Sequence, residues 1–301
     1  MAIGMRIVSL LPSATETLFT IGAGDSVVGV THECDYPEQA KTLPHLTSSS
    51  LPDASNPGEI DRHVRASLHS GSSLYNLDSD LLERLNPELI VTQELCEVCA
   101  VSYHIVDRAA RRLSADPRIV SLEPSSLEDV YANILTLGEL TGCRANAESL
   151  ITSLRARVAR VVERVEHAHR PRVLVLEWTE PPMSGGHWTP GLVELAGGIP
   201  LLGNPGANSQ TISWDAIEDA DPDVIIVAPC GFGLDATRAA IERLADIPEW
   251  RSLRAVREGR IAAVDGNAYV NRPGPRLVDT VEIFAGILHT RDVNEAAASW
   301  V

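Results

Sequence analysis

Long apolar runs and basic clusters are missing from this sequence, and aromatic residues are scarce. Lys and Arg together number 25 against 41 Asp and Glu, which gives the 301-residue chain a formal charge of −16. A protein that binds nucleic acid displaces counterions with clustered Lys and Arg, so the composition argues against a nucleic-acid partner. No segment has the roughly 20 consecutive apolar residues that a membrane-spanning helix needs, and we expect no such helix.

A secretion signal is also missing from the start of the sequence. MAIGMRIVSLL leads directly into a predicted strand, without a basic segment, a long apolar stretch and a small-residue cleavage site ahead of it. The five cysteines are an odd number, which fits a reducing compartment better than an exported disulfide scaffold. We therefore expect a cytoplasmic protein; the alternative is an exported or membrane-associated protein whose signal has been removed.

The strands that can be predicted are short and apolar throughout. Uniformly apolar strands that alternate with helical patterns are typical of parallel sheets covered on both faces, so the sequence predicts an α/β fold. The predicted strands are residues 6–9, 27–30, 89–92, 173–177, 224–228 and 261–264.

A long amphipathic helix is predicted between two groups of strands. Residues 146–170 contain no Gly or Pro, and their apolar positions recur every three or four residues. A chain of this length fits two domains of common size. We therefore predict an N-terminal α/β lobe at 1–144, a connecting helix at 145–170 and a C-terminal α/β lobe at 171–301.

Candidate binding residues follow the predicted strands, because ligands of open parallel sheets sit beyond the carboxyl ends of the strands. Ser13 has a second interpretation, since Ser13 to Glu16 match a helix capping box. The candidates of the first lobe are Ser13, His32, Glu33, Cys34, Asp35, Tyr36 and Gln93. Those of the second lobe are Trp178, His187, Trp188, Cys230, Phe232, Tyr269 and Arg272.

Cys96 and Cys99 form a Cys-x-x-Cys pair directly after the strand at 89–92. With Cys34 and His32 they could ligate a metal, because thiolates and imidazole suit late transition metals. They could also form a redox couple, pack as small apolar residues beneath a pocket, or contact a bound ligand. The residues leave these alternatives open. No nucleophile elbow, phosphate loop or paired zinc-binding histidines can be found in the sequence, so we predict no enzyme activity.

Three segments together resemble a known family. They are RIVSLLPSATETLFTIGAGDSVVGVTHECDYP at 6–37, LVELAGG at 192–198 and VDGNAYVNRPGPRLVDTVE at 264–282. The chain resembles the cobalamin-binding, helical-backbone (class III) substrate-binding proteins of ABC importers. This resemblance implies two α/β lobes joined by one long helix, a ligand in the cleft between them, and binding without turnover.

The same resemblance implies roles for particular residues. It places the Ser13 loop, the loop of Asp35 and Tyr36, the Trp178 to Trp188 loop and the Tyr269 to Arg272 loop against the ligand. Glu194 matches the second-lobe carboxylate that docks on the permease. The first-lobe docking carboxylate has no counterpart, and the thiols and the missing export signal place the chain in a subgroup of the family.

The resulting hypothesis is a binding protein for a corrinoid or a related metal chelate. Trp178, Trp188, Phe232 and Tyr269 would give flat apolar contact, while Cys34, Cys96, Cys99 and His32 would ligate or flank the metal. No cofactor is required, although a corrinoid or transition metal is expected as ligand. The expected partners are this small molecule and an ABC importer permease. The alternatives are a cytosolic thiolate carrier or sensor of zinc, iron or copper ions, and a thiol oxidoreductase.

Overall fold

The chain forms two compact units. The computed structural model describes residues 5–51, 56–70, 74–93, 103–291 and 294–301. The first unit is built from the described residues within Met1–Asp53, Arg62–Glu123 and Tyr131–Thr152, and the second from those within Ala54–Asp61, Pro124–Val130 and Ser153–Val301. Within the described ranges, no helix combines the length and apolar character needed to cross a lipid bilayer.

The first unit contains a four-stranded parallel sheet and a separate antiparallel pair. The strands are β1 (Ile7–Ser9), β2 (Val27–Val30), β3 (Thr47–Ser49), β4 (Tyr75–Leu77), β5 (Leu89–Thr92) and β6 (Arg118–Ser121). The parallel sheet has the order β2-β1-β5-β6, and β3 pairs with β4. Because β1 lies between β2 and β5, the segments that follow these three strands leave the same edge of the sheet.

Six helices accompany these strands or lead out of the unit. They are α1 (Pro12–Thr20), α2 (Pro57–Ser70), α3 (Ser79–Leu85), α4 (Tyr103–Ala110), α5 (Leu127–Leu140) and α6 (Arg144–Val165). Two 3-10 turns lie at Gly24–Ser26 and Glu38–Thr42.

The second unit has a larger, mixed sheet. Its strands are β7 (Arg172–Thr179), β8 (Pro182–Ser184), β9 (Ile199–Pro200), β10 (Gln210–Thr211), β11 (Val224–Val227), β12 (Ile261–Val264) and β13 (Ala298–Trp300). The order is β10-β8-β7-β11-β12-β13, with β9 also pairing with β7. The central strands β7, β11 and β12 are parallel, whereas β8, β10 and β13 are antiparallel to their neighbours.

The described helices of the second unit are four to eleven residues long. They are α7 (Thr189–Leu195), α8 (Trp214–Ala220), α9 (Leu234–Leu244), α10 (Pro248–Ser252), α11 (Arg254–Arg257) and α12 (Leu277–Ala285). Two π-helical turns lie at Gly266–Val270 and Gly286–Thr290. All four residues of β11 are fully buried, as expected of a central strand covered on both faces.

The predicted α/β class is confirmed, and each of the six predicted strands is present. The predicted helix at 146–170 is Arg144–Val165 in the structure, 22 residues long. The helix ends before residue 170, the predicted end, because Val165 is its last buried apolar residue and Glu166 and His167 are exposed. The lobe boundaries after residues 144 and 170 stay predictions.

The capping-box interpretation of Ser13 is wrong. Helix α1 begins at Pro12, and its N-cap is Leu11, which makes no side-chain capping hydrogen bond. Proline is favourable at the first position of a helix, since its fixed φ suits the helix and its missing N–H would have no partner there. Ser13 therefore lies inside the first turn, where its carbonyl accepts a hydrogen bond from Thr17 Oγ1 at 2.8 Å.

Asp223 joins the start of the second sheet to α11. Its carboxylate accepts hydrogen bonds from the Arg172 backbone N–H at 2.7 Å and from Arg254 Nη2 at 2.7 Å. Partial burial raises the pKa of Asp223, but these hydrogen bonds and the Arg254 charge outweigh it, and the net pKa lies below its usual value. A lowered carboxyl pKa stabilises the fold above the unfolded-state pKa and ceases to do so as the pH falls through the folded-state pKa.

We expect Asp223→Asn to lower the free energy of unfolding at pH 7 by about 1 kcal/mol, a modest figure because solvent reaches the carboxylate. The difference from the unchanged protein should shrink below about pH 4. Urea unfolding at pH 7 and pH 3 measures both values. Asp235→Asn is the matched control, since the only ion pair that Asp235 forms with the described residues is an exposed one with Arg238. An equal loss at both pH values would contradict the electrostatic explanation.

Candidate functional site

The predicted residues of the first unit lie on the segments that leave one edge of its sheet. Ser13 is in the first turn of α1 after β1, residues 32–36 follow β2, and Gln93 follows β5. Ser13 and Gln93 are buried, whereas Asp35 and Tyr36 are exposed and the Tyr36 side chain is 48% accessible. Tyr36 therefore presents an aromatic surface to solvent near this edge.

His32 is held in a fixed orientation by its neighbours. Its Nδ1 lies 2.7 Å from Thr47 Oγ1, and its ring centroid is 5.8 Å from that of Tyr75. Nε2 lies 3.2 Å from Glu33 Oε1, yet within the described part of the chain this buried nitrogen has no hydrogen bond of acceptable geometry. An imidazole fixed through Nδ1 leaves Nε2 as the atom that could bind a ligand or a metal.

Cys34 is buried beneath the first helix. Its side chain is 1% exposed, and Sγ lies 3.1 Å from Thr15 Oγ1, which in turn donates to Ser9 Oγ at 2.8 Å. The structure thus places this thiol against the Thr15 hydroxyl of α1, which is itself hydrogen-bonded to Ser9 of β1.

Cys96 and Cys99 lie outside the described residues. Among the residues that the structure does describe, no three His, Cys, Asp or Glu side chains are grouped closely enough to hold a metal ion. The predicted metal set of His32, Cys34, Cys96 and Cys99 therefore stays a prediction.

The second unit brings aromatic side chains together where its parallel strands end. Trp178 near the end of β7 contacts Phe232 edge to face, with ring centroids 5.4 Å apart. The Phe232 carbonyl accepts a hydrogen bond from the Asn267 backbone N–H at 3.0 Å, which joins the segments after β11 and β12. Such edge-to-face pairs fix the orientation of both rings.

Trp188 is tied to the segment that follows β12. Its indole Nε1 donates a hydrogen bond to the Val270 carbonyl at 2.8 Å, and its ring stacks on His187 with centroids 5.4 Å apart. His187 has a φ of +49°, and its Nε2 lies 3.1 Å from Asn208 Oδ1. Trp188 is thus placed beside the segment that carries Tyr269.

The segment that carries Tyr269 also carries two arginines, Arg272 and Arg276. The Tyr269 carbonyl accepts a hydrogen bond from Thr280 Oγ1 at 3.0 Å, and the Arg276 guanidinium lies 5.6 Å from the centre of the Tyr269 ring. Arg272 is 6% exposed and donates to Asn267 Oδ1 at 3.0 Å. We name the surface formed by Trp178, Trp188, Tyr269 and Arg276, together with the buried Phe232 ring that packs against Trp178, the aromatic surface of the second unit.

Sequence reasoning missed Arg276 and Glu177. Arg276 follows Pro275 at the start of α12, inside the segment that carries the family resemblance, but beyond the Tyr269 to Arg272 loop that was selected, and its position over Tyr269 identifies it. Glu177 had a visible signal, since it is the one acidic residue in the strand RVLVLEWT and directly follows the apolar run VLVL. Burial raises the pKa of the Glu177 carboxyl, although hydrogen bonds from Ser209 and Gly186 and the nearby His187 act in the opposite direction.

Glu194 and Cys230 are the remaining predicted residues of the second unit, and Cys230 lies on the same segment as Phe232. Glu194 is exposed on α7, so its carboxylate is accessible. Cys230 is exposed in the segment after β11, and its backbone N–H donates to the Glu177 carbonyl at 3.2 Å.

The aromatic surface offers flat apolar contact and positive charge, a combination that suits a planar conjugated ligand with anionic groups.

Comparison with protein families finds one model that covers most of the chain. The family described as periplasmic binding protein matches residues 7–268. A relative from Halobacterium salinarum named cobalamin-binding protein is 26% identical over 293 residues, which are 96% of this chain and 70% of the relative.

Two solved structures illustrate the likeness in fold. The periplasmic heme-binding protein of Roseiflexus sp. RS-1, in its apo form, is 25% identical with a TM-score of 0.70, and the match covers 94% of this chain and 99% of that one. The periplasmic vitamin B12-binding protein of Vibrio cholerae is 20% identical with a TM-score of 0.68, and the match covers 94% and 96% of the two chains.

Proposed function

Because the chain belongs to the family of periplasmic binding proteins, we propose that it binds a corrinoid or a related tetrapyrrole metal chelate and delivers it to an ABC importer. In this proposal the protein binds and releases its ligand without changing it chemically. The observation that carries the proposal is the aromatic surface of the second unit, at the end of the sheet where ligands of parallel sheets bind.

The geometry of this surface supports a flat ligand. Its four aromatic side chains lie on three segments, and hydrogen bonds from Asn267 N–H to Phe232 and from Trp188 Nε1 to Val270 connect these segments. Rings that are already fixed lose little conformational entropy when a ligand packs on them. A macrocycle with a wide apolar face is therefore a better match than a small polar solute.

The charges of this surface narrow the class of ligand further. The chain carries a net charge of −16, yet Arg272 and Arg276 lie on the same segment as Tyr269. Guanidinium groups bind carboxylates and phosphates in a planar, two-pronged geometry. Negatively charged substituents at the rim of a macrocycle would meet Arg276, which is partly exposed, whereas Arg272 is buried on the same segment.

The names of the relatives agree with this ligand class. The Halobacterium relative is named for cobalamin and the Roseiflexus protein for heme, and both ligands are macrocyclic chelates of a transition metal.

Exposed Glu194 on α7 is the group that we propose to meet basic residues of a permease.

Spectral titration tests the proposed ligand class. We expect the reduced protein to shift the absorption spectrum of either aquocobalamin or hemin, saturating at about one equivalent with a Kd of about 1 μM or lower, as expected for a binding site of this aromatic character. The same titration with the protein unfolded in urea is the control for non-specific binding. The absence of a saturable shift with both compounds would overturn the proposal.

A further inference from the structure

Two segments of the second unit pack backbone against backbone beside the aromatic surface. The His187 backbone N–H donates to the Ala207 carbonyl at 2.6 Å, and the Gly206 N–H donates to the His187 carbonyl at 2.9 Å. A Cβ atom on Gly186 would overlap the backbone of residues 207–209, and one on Gly203 would overlap the Gly185 carbonyl. The segments 185–189 and 203–209 therefore need glycine to approach each other this closely.

Glu177 of β7 connects both segments to the sheet. It lies at an irregularity in the pairing of β7 with β8, between Leu176 and Trp178. One carboxylate oxygen, Oε1, accepts a hydrogen bond from Ser209 Oγ at 2.8 Å, and the other, Oε2, accepts one from the Gly186 backbone N–H at 3.3 Å. Each oxygen thus holds a different segment. We name this arrangement of Glu177, Gly186 and Ser209 the Glu177 clamp.

We propose that Glu177 is a positioning residue, whose carboxylate fixes the 185–189 turn and thereby sets the orientation of Trp188 toward the ligand. The Glu177 side chain itself need not touch the ligand. The clamp is a feature of the ligand-free protein. Its effect on ligand affinity rests on the proposed function.

The chemistry of a carboxylate explains why glutamate suits this place. Two donors converge on it, and an ionised carboxylate accepts both, while the amide of Gln has one acceptor oxygen and must turn its NH2 group toward the second donor. Burial makes such a charge costly and raises the pKa of Glu177, while the two donors and nearby His187 reduce that cost without removing it. A shorter Asp at this position would not reach both segments.

Amide hydrogen exchange in the ligand-free protein tests the clamp directly. We expect Glu177→Gln and Ser209→Ala each to raise the exchange rates of the amides in 185–189 and 206–209 by about tenfold, because each variant disrupts a hydrogen bond of the clamp. Glu258→Gln is the matched control, since Glu258 belongs to the same unit but forms a partly exposed pair with Arg254. It should leave these amides unchanged.

The position of Trp188 provides the second measurement. The indole N–H resonance of Trp188, assigned with Trp188→Phe, should shift or broaden in Glu177→Gln, and the Kd for aquocobalamin or hemin should rise about tenfold. Glu258→Gln should change neither. Ser209→Ala retains the carboxylate, so it reports on the clamp even if Glu177→Gln fails to fold. Unchanged exchange in Ser209→Ala would overturn the clamp.

The two proposals fail in different ways. If the unchanged protein binds neither chromophore, the proposed ligand class is wrong, and the exchange and indole measurements still decide whether the clamp exists. If the chromophore binds and exchange rises in Glu177→Gln while the Kd stays the same, Glu177 does not position Trp188 for binding, and that part of the inference is overturned.

Discussion

Replacing Trp188 with Ala is expected to weaken the binding of aquocobalamin or hemin by about a hundredfold. Trp is among the residues whose truncation most often costs 2 kcal/mol or more at a binding surface, and a hundredfold change in Kd corresponds to about 2.7 kcal/mol. Trp188 fits this behaviour because its indole is half-buried and fixed by the hydrogen bond to Val270. The ring therefore offers a large apolar area without a further ordering cost.

Two further variants make this result specific. Trp188→Phe keeps an aromatic ring but loses the hydrogen bond to Val270, so the Kd should rise by about tenfold, less than in the Ala variant. Trp300→Phe is the matched control, because Trp300 pairs with Ala262 near the start of β12, at the end of that strand away from the aromatic surface. A Kd in Trp188→Ala that matches the control would remove Trp188 from the ligand site.

Replacing Phe284 with Ala should cause the largest loss of stability among the variants considered. Phe284 is fully buried in α12, and truncation of a buried Phe costs about 3–5 kcal/mol, from lost apolar burial and from the cavity left behind. Helix α12 also supports the aromatic surface, since its Thr280 hydroxyl donates to the Tyr269 carbonyl. Chemical denaturation should show the loss as a lower midpoint for the second unit.

Tryptophan fluorescence is suited to this measurement. All five Trp of the chain lie between residues 178 and 300, within the second unit, so the fluorescence transition reports on that unit. Val162→Ala is the control, because Val162 is 40% exposed and should change the free energy of unfolding by less than about 0.5 kcal/mol. If Phe284→Ala lowers the free energy of unfolding by less than about 1 kcal/mol, the helix repacks to fill the cavity.

The parts of the fold that were predictable are those in which local sequence and burial agree. The apolar strand at 224–227 and the periodic helix after residue 144 carry strong patterns, and the structure forms both. Strands β8 and β10 were not predicted, because their sequences PMS and QT have neither alternation nor a β-branched run. Such short strands form because a neighbouring strand offers backbone hydrogen bonds, which is tertiary information.

The site was predictable only as a set of strand-end segments. The rule that ligands lie beyond the strands selected Trp178, Phe232 and Tyr269, and the structure connects their segments within the second unit. The rule could not identify the partners of Glu177, since Ser209 lies 32 positions along the chain. The capping interpretation of Ser13 was wrong because Pro12 sets the start of the helix. Long-range partners and competing local signals are thus the main limits.

The antiparallel strand β13 has a consequence for how the molecule behaves at high concentration. An unpaired edge of a sheet is a template for strand addition by another copy, which leads to aggregation. Pairing of β13 with β12 occupies the backbone groups that β12 would otherwise offer. The new edge is only three residues long, and the Arg291 guanidinium lies 4.7 Å from the centre of the Trp300 ring. The sheet that carries the aromatic surface therefore ends in a short, charge-covered border that disfavours fibril-like growth.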